Sequence, residues 1–528
     1  MPRPPLPSFI GDLVADRTAA GALLAAMAAL FAAGLDPKVM APMASTTQAA
    51  IRAQPDIEGL VLLLSLVTAL LLLVGGAIGD MSRARPIILG GLSVALVSAI
   101  VAWLLVGTGL PFTLVRFAGV ASAAFVMPAS LAMAATSYTG VARATAIGIA
   151  YAAYGAGQGI SPTLVALIPG YPGPAFLASI AGCALALWIA RNRITDLRQA
   201  DRVERPIVVG TALWGGGVVM IATAILWFGA GLTNPLRLGL LFGGLALIAL
   251  FLAWERRRHH AAVDAVHVER RPVTIALFVG LIIAVAQVVP MSQLPLYFGV
   301  AMRYGPVFGL VALAPLFLGL VAAGPLAGYL LARFQPRTLV LGGMVAAGLG
   351  NVVLAVVMGR ETPYPAFVAP LLLVGGGFVI ATTVRTAIIF AAVPRGLPAT
   401  AAALNEASIE VGTRAGIVVI TALLAQVAVS AYASTVAGTP AEIEAAVSPF
   451  RELLIALGTP SFAELAQVVQ PGDLAGYRDA YEAGVRMAML GAGVIALVGA
   501  AIAWLALGRR NPLQTVYDHR DERGVATV

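Results

Sequence analysis

Residues 338–358 read TLVLGGMVAAGLGNVVLAVVM, with no charged side chain between Arg337 and Arg360. Coiled as an α-helix at 1.5 Å per residue, such a run spans about 30 Å, the thickness of a bilayer's hydrocarbon core. In lipid only a helix or a closed barrel satisfies its own backbone polar groups. Thirteen further runs of this kind lie along the chain: Thr18–Met43, Leu60–Ile78, Pro86–Gly107, Leu110–Ala134, Ala144–Ile168, Pro174–Ala190, Val208–Phe228, Leu238–Trp254, Val273–Tyr297, Val307–Leu331, Phe367–Ala392, Ala401–Val429 and Ala483–Leu507. The composition, 60% hydrophobic and 11% charged, lies outside the range of soluble domains. We therefore expect an all-α polytopic membrane protein of fourteen spans.

Charge fixes the expected topology. Arginine gathers in the sixth connection (Arg191, Arg193, Arg198, Arg202, Arg205) and the eighth (Arg256, Arg257, Arg258, Arg270, Arg271). Even-numbered connections and both termini are basic, which places both termini in the cytoplasm and the protein in a bacterial-type inner membrane. The Pro-rich start has no cleavable apolar region, so the first span is expected to be retained. The two basic connections frame spans seven and eight, dividing the chain into a six-span bundle (1–205), two extra spans with the start of a cytoplasmic linker (206–258) and a second six-span bundle (259–528). Six plus six is the pattern of a duplicated secondary transporter. A long acidic connection, about 430–482, precedes the last span on the outer side, and Ala441–Leu457 reads as a short amphipathic helix within it.

Several chemistries are excluded or unsupported. Lys38 is the only lysine, so no P-loop lysine reaches a nucleotide phosphate and the chain is no self-contained ATP-driven pump. The single Cys183 allows no internal disulfide. His259, His260, His267 and His519 match no metal motif, and no nucleophile elbow or dinucleotide loop is present. The net charge of +8 sits in short loops beside apolar runs and indicates lipid headgroups rather than nucleic acid. No cofactor and no metal is expected. Whether a periplasmic adaptor assists is not decided by sequence.

Four constellations carry function. The turn Gly76-Ala-Ile-Gly-Asp80-Met-Ser-Arg83-Ala-Arg85 joins a carboxylate at a helix end to arginines, a set able to latch neighbouring helices at the cytoplasmic gate. Gly324-Pro-Leu-Ala-Gly328, leading to Arg333 and Arg337, is its weak echo in the second half. In the fourth span Arg116 begins a run ending in Met127-Pro128; it lies roughly 9 Å deep, at nearly the depth of Asp36 in the first span. The two are expected to interact, for coupling or as a structural ion pair, with Lys38 sharing Asp36 or reaching outward. The fifth span holds Gly155-Ala-Gly157-Gln-Gly159-Ile-Ser161-Pro162, small residues that permit close helix packing. The thirteenth holds Asn405-Glu406-Ala-Ser-Ile-Glu410-Val-Gly-Thr-Arg414. Glu406, Glu410 and Arg414 share one face. Two carboxylates a turn apart in low dielectric form a titratable site suited to proton coupling; the alternative is structural pairing of Glu410 with Arg414 and of Glu406 with Arg385.

These motifs resemble the fourteen-span drug:proton antiporter branch of the major facilitator superfamily, nearest to exporters of quaternary ammonium compounds. The resemblance implies two six-helix bundles with two linker helices, alternating access, and export of lipophilic, cationic compounds against protons. It carries Asp36, Arg116, Glu406 and Glu410 over as the coupling and substrate residues. The turn around Asp80 corresponds to the family's cytoplasmic loop motif, with Arg83 where glycine is usual. The fifth-span run corresponds to the antiporter motif, with Ser161 in place of a glycine. Acidic positions of the quaternary-ammonium exporters in the second and tenth spans are apolar here, near Leu62 and Leu320. The aromatic residues Tyr151, Tyr154, Trp214, Tyr297 and Phe298 are candidates to line a cavity for flat substrates. The residues leave two alternatives open. One is an organic anion, siderophore or metabolite as cargo, drawn by Lys38, Arg385 and Arg414; the other is a sensor or accessory subunit without turnover.

Overall fold

The computed structural model describes residues 13, 15–40, 70–105, 108, 110–167, 175–194, 213, 216–217, 220–221, 224, 235–256, 270–302, 304, 309, 311–359, 361–393, 397–456 and 471–506, with residues 36–40 described by backbone alone. Among them every regular element is helical. We label them α1 (Arg17–Met40), α2 (Leu70–Met81), α3 (Ala84–Leu104), α4 (Leu110–Thr136), α5 (Gly140–Leu167), α6 (Ala175–Arg193), α7 (Pro235–Arg256), α8 (Arg270–Leu296), α9 (Ala314–Leu331), α10 (Pro336–Val357), α11 (Pro365–Ala392), α12 (Pro398–Ala433), α13 (Pro440–Ala456) and α14 (Pro471–Ala506). Nine of the described helices are long and apolar enough to cross a membrane. Most of the predicted second and seventh spans lies outside the described residues.

Local sequence sets the helix starts. α9, α10, α11 and α12 each carry proline in the first turn, where its missing N–H costs nothing and its fixed φ suits a helix. Gly140, at φ +56°, turns α4 into α5 in a conformation that L side chains avoid. Burial then follows helical spacing. In α10, Val340, Met344, Ala347, Asn351 and Leu354 face inward, while Leu349, Val353 and Val356 are exposed. An apolar outer face is the expected surface of a helix in lipid. Asn351 donates to the Ala286 carbonyl of α8 (2.8 Å), a polar tie between spans.

The helices pack in two groups. α1, α3, α4, α5 and α6 contact one another, as do α8 to α12 with α14. Two side-chain relations repeat between the groups. Arg85, at the start of α3, donates to the Arg191 carbonyl at the end of α6 (3.4 Å). Arg337, at the start of α10, donates to the Trp504 carbonyl at the end of α14 (2.6 Å) and lies over the Trp504 ring. Each guanidinium thus meets the negative end of a helix dipole.

The groups meet along a seam of small residues. A Cβ on Gly148 of α5 would fall on the Gly324 carbonyl of α9, and one on Gly328 would fall on Thr145. On the other side of the molecule's internal symmetry, Gly76 of α2 abuts Ala399 and Ala403 of α12. The sequence echo of residues 76–80 and 324–328 is therefore a structural one: each packs on the first turns of a helix in the opposite group.

Two helices exceed expectation. α12 and α14 each run 36 residues, about 54 Å, and α14 begins at Pro471 rather than near Ala483. Their extra turns are held by α13: Tyr432 of α12, Phe450 of α13 and Tyr477 of α14 cluster with ring centroids 4.6–5.2 Å apart, Phe450 stacked on Tyr477 and Tyr432 edge-on to Tyr477. Thr439 and Glu442 cap α13, the carboxylate accepting from the Thr439 N–H (2.7 Å) and hydroxyl (2.9 Å). These bonds hold the Glu442 carboxyl below its usual range, so the cap persists at neutral pH and is lost as pH falls through that lowered value.

The seam yields a first prediction. Gly148→Ala should destabilise the protein by about 1–3 kcal/mol, the usual cost of overpacking. Thermal aggregation in detergent should begin several degrees lower, and an unchanged onset would mean that α5 and α9 do not meet at this point.

Candidate functional site at the seam of the two helix groups

α12 enters the seam with its first free amides pointed at a carboxylate. Pro398 has no N–H, so Ala399 and Thr400 carry the first donors of the helix. Both go to Asp80: Ala399 N to Oδ1 (2.6 Å) and Thr400 N to Oδ2 (2.8 Å). An anion on a helix N-terminus is favoured by the dipole as well as by the two hydrogen bonds. Asp80 belongs to α2, which packs at Gly75 on Ala124 and Phe125 of α4, so the carboxylate joins the first group to the second. Arg83 is exposed at the start of α3, and Arg85 is spent on α6 within its own group.

Two turns along the same face of α12 stands Glu406, about 12 Å from the helix start. It is buried, and its Oε1 accepts from the Tyr151 hydroxyl of α5 (2.5 Å) and from Nδ2 of Asn405 (2.9 Å). Asn405 Nδ2 also reaches the Tyr151 oxygen (2.6 Å). Its Oδ1 faces the Thr386 hydroxyl of α11 (2.8 Å). The carboxylate therefore sits in a polar knot drawn from α5, α11 and α12, and it bridges the two groups.

Arg385 of α11 is wholly buried. Its Nη1 donates to the Ala276 carbonyl of α8 (3.2 Å) and to Ser408 Oγ (3.0 Å), and its Nη2 donates to the Asn405 carbonyl (3.2 Å). Gly280 leaves the space that the guanidinium occupies. Arg385 thus ties α8, α11 and α12 together, and no hydrogen bond joins it to Glu406. Glu410 and Arg414, one and two turns beyond Glu406, form an ion pair in which Nε and Nη2 both donate to Oε1, the first at 2.8 Å. Both are partly exposed, so the two carboxylates of the motif occupy different surroundings: Glu406 in the seam, Glu410 beside a cation.

The remaining predicted residues divide. Arg116 is buried beneath the Phe176 ring, 5.9 Å from its centroid. The side chains of Asp36 and Lys38 lie outside the described residues, and so does the predicted Asp36–Arg116 contact. Gly157 fits against the α1 backbone at Phe31 and Leu35, one residue short of Asp36. Ser161, one turn on, is fully buried with no hydrogen-bond partner for its hydroxyl among the described residues. The side chain of Pro162 and all of Trp214 are not described. Gly76 is a contact surface for α12. Tyr297 and Phe298 pack with Phe367 instead of lining an open wall. Tyr151 and Asn405 are the hydrogen-bond partners of Glu406, a pairing the sequence does not assign. Asn405 adjoined the motif, and Tyr151 was visible only as a membrane aromatic.

The fold and the paired seams prompt comparison with known proteins. The Major Facilitator Superfamily profile matches residues 15–416. The chain belongs to the Major Facilitator Superfamily. Its fold accords with that of a solved superfamily member, the proton:xylose symporter XylE bound to 6-bromo-6-deoxy-D-glucose: TM-score 0.55 at 12% identity, over 92% of this chain and 95% of that one. Among curated superfamily relatives, the puromycin resistance protein pur8 of Streptomyces alboniger is 30% identical over 298 residues, 54% of this chain. The match spans 57% of that relative's length. The methyl viologen resistance protein SmvA of Salmonella typhimurium is 26% identical over 376 residues, 69% of this chain and 73% of the relative. As a superfamily member the chain is an all-α, multi-pass membrane transporter of small molecules.

The burial of Arg385 gives a second prediction. Lysine has one ammonium in place of the guanidinium fork and cannot reach the Ala276, Asn405 and Ser408 oxygens together. Arg385→Lys should destabilise the second group by about 2 kcal/mol. The check is monodisperse yield after detergent extraction, which should fall; a yield and melting profile equal to the parent would contradict the tie.

Proposed function

We propose that this transporter is a proton-coupled exporter of lipophilic, cationic compounds, working by alternating access between the two helix groups. The carrying observation is Glu406: a buried carboxylate at the seam, hydrogen-bonded from both groups. In low dielectric such a group holds either a proton or a cation's charge, and that exclusivity is what exchange requires. The named resistances of the relatives point the same way, methyl viologen being a flat aromatic dication and puromycin carrying a basic amine.

In this reading the termini are cytoplasmic, so the Asp80–α12 contact closes the inner face. Asp80 holds that closure while the substrate leaves outward. Asp36 and Arg116 form a second, outer charge pair in the first group. Glu410, held by Arg414, tunes the field at Glu406 from one turn away. No cofactor is needed beyond the proton gradient. Of the cations that an anionic cargo would draw on, Arg385 is bound to backbone oxygens and the Ser408 hydroxyl and Arg414 to Glu410, while the Lys38 side chain lies outside the described residues.

The test is uptake of ethidium or methyl viologen into everted vesicles under an imposed proton gradient. Wild-type protein should accumulate the cation, and an uncoupler should abolish accumulation. Glu406→Gln should bring it to near background with normal membrane insertion. Wild-type rates in that variant would remove Glu406 from the coupling path.

A further inference from the structure

We propose that Tyr151 is a positioning residue that makes the inter-group seam sensitive to the proton on Glu406: its phenol holds the deprotonated carboxylate, and protonation loosens α12 from α5. The inference rests on the assignment of Glu406 as the proton carrier and adds how the proton is read by the fold.

Hydrogen-bond valence carries the argument. Asn405 Nδ2 donates to the Tyr151 oxygen at 2.6 Å, so the phenol's own proton must point elsewhere. Two acceptors are in range: Glu406 Oε1 at 2.5 Å and Thr386 Oγ1 at 3.5 Å. Only the first is at hydrogen-bonding distance for an O–H donor. Glu406 Oε1 then accepts two donors, the arrangement that suits a carboxylate anion. Hydrogen bonds to an ionised acceptor are about twice as strong as neutral ones, so a proton on Glu406 weakens both at once. Of the two bonds on Oε1, that from Tyr151 crosses between groups, from α5 to α12, beside the Asn405 amide bond to the same phenol oxygen. Along α5 the same helix meets α9 at Gly148 and Thr145, so a shift of Tyr151 bears on the whole seam.

The charged and titratable surroundings are these. α12 itself supplies Glu410 and Arg414. α11 supplies Arg385, α5 supplies Tyr151 and Tyr154, α2 supplies Asp80 two turns toward the start of α12, and α4 carries Arg116 near its own start. Arg385 is bonded elsewhere and Glu410 is paired, leaving Tyr151 and Asn405 as the direct partners of the carboxylate.

The experiment reads seam opening with a cysteine. Thr145→Cys, nearly isosteric and covered by Gly328, is placed on a Cys183→Ala background in the full chain in liposomes. Alkylation by N-ethylmaleimide is followed from pH 6 to pH 8. Each rate is divided by that of a free model thiol at the same pH, because the thiolate is the reacting species. With Tyr151 present, this normalised labelling should be slow at high pH and rise as pH falls. Tyr151→Phe should label about tenfold faster at high pH, the loss expected for one hydrogen bond to a charged group, with the pH dependence flattened. Glu406→Gln should behave alike, and the double variant should add nothing further.

A Tyr151→Phe profile identical to the parent would overturn the inference. If Glu406→Gln alters transport and labelling while Tyr151→Phe alters neither, only the tyrosine's role fails. If Glu406→Gln alters neither, the coupling assignment itself fails. Should Tyr151→Phe not fold, 3-fluorotyrosine at position 151 keeps the shape and strengthens the donor. The labelling midpoint should then move to lower pH, and an unmoved midpoint would equally overturn the proposal.

Discussion

A carboxylate buried between two helix groups is the constraint around which this molecule is arranged. Taking Glu406 out of water costs several kcal/mol unless its charge is met by donors or removed by a proton. Here the donors come from α5 and α12, and Thr386 of α11 lies against the amide that supplies one of them. The helices that close the seam are thus the same ones that satisfy the charge. Packing and electrostatics cannot change independently at this point.

The rest of the seam serves that arrangement. Glycine and alanine let the backbones of α5 and α9, and of α2 and α12, come close enough for short polar side chains to bridge them. Asp80 fixes α12 at its first turn, and Glu406 meets Tyr151 two turns deeper on the same face. The internal symmetry is imperfect in an informative way. Gly328 stands where Asp80 stands in the first half, so only one of the two related contacts carries a charge. Arg385 ties the second group together behind the site, its hydrogen bonds joining α8, α11 and α12.

Much of this was legible in the chain. Apolar runs gave the helices, because a bilayer of fixed thickness selects run length; most described spans begin close to expectation, α9 and α14 being the exceptions. The Gly-Asp-Arg turn and its faint second-half echo marked a duplicated element, and the acid-rich motif marked α12. The partners were not legible. That Asp80 caps a helix more than three hundred residues away, or that Tyr151 meets Glu406, depends on which helices touch, and lipid-facing and seam-facing apolar stretches look alike in sequence. Pairing of Arg385 with Glu406 was the structural alternative, drawn from similar depth; the structure gives the guanidinium's hydrogen bonds to two carbonyls and the Ser408 hydroxyl, an arrangement that depth alone does not reveal. The extra turns of α12 and α14 were missed because their stability comes from an aromatic cluster assembled from three separate segments.

The most direct test of the central claim is proton release on substrate binding. Purified protein in weakly buffered detergent solution, with no gradient present, is mixed with methyl viologen or ethidium while pH is recorded. If one carboxylate serves proton and cation in turn, binding expels protons, the release is largest below neutral pH, and Glu406→Gln abolishes it. Cation binding with no proton released at any pH would contradict the account.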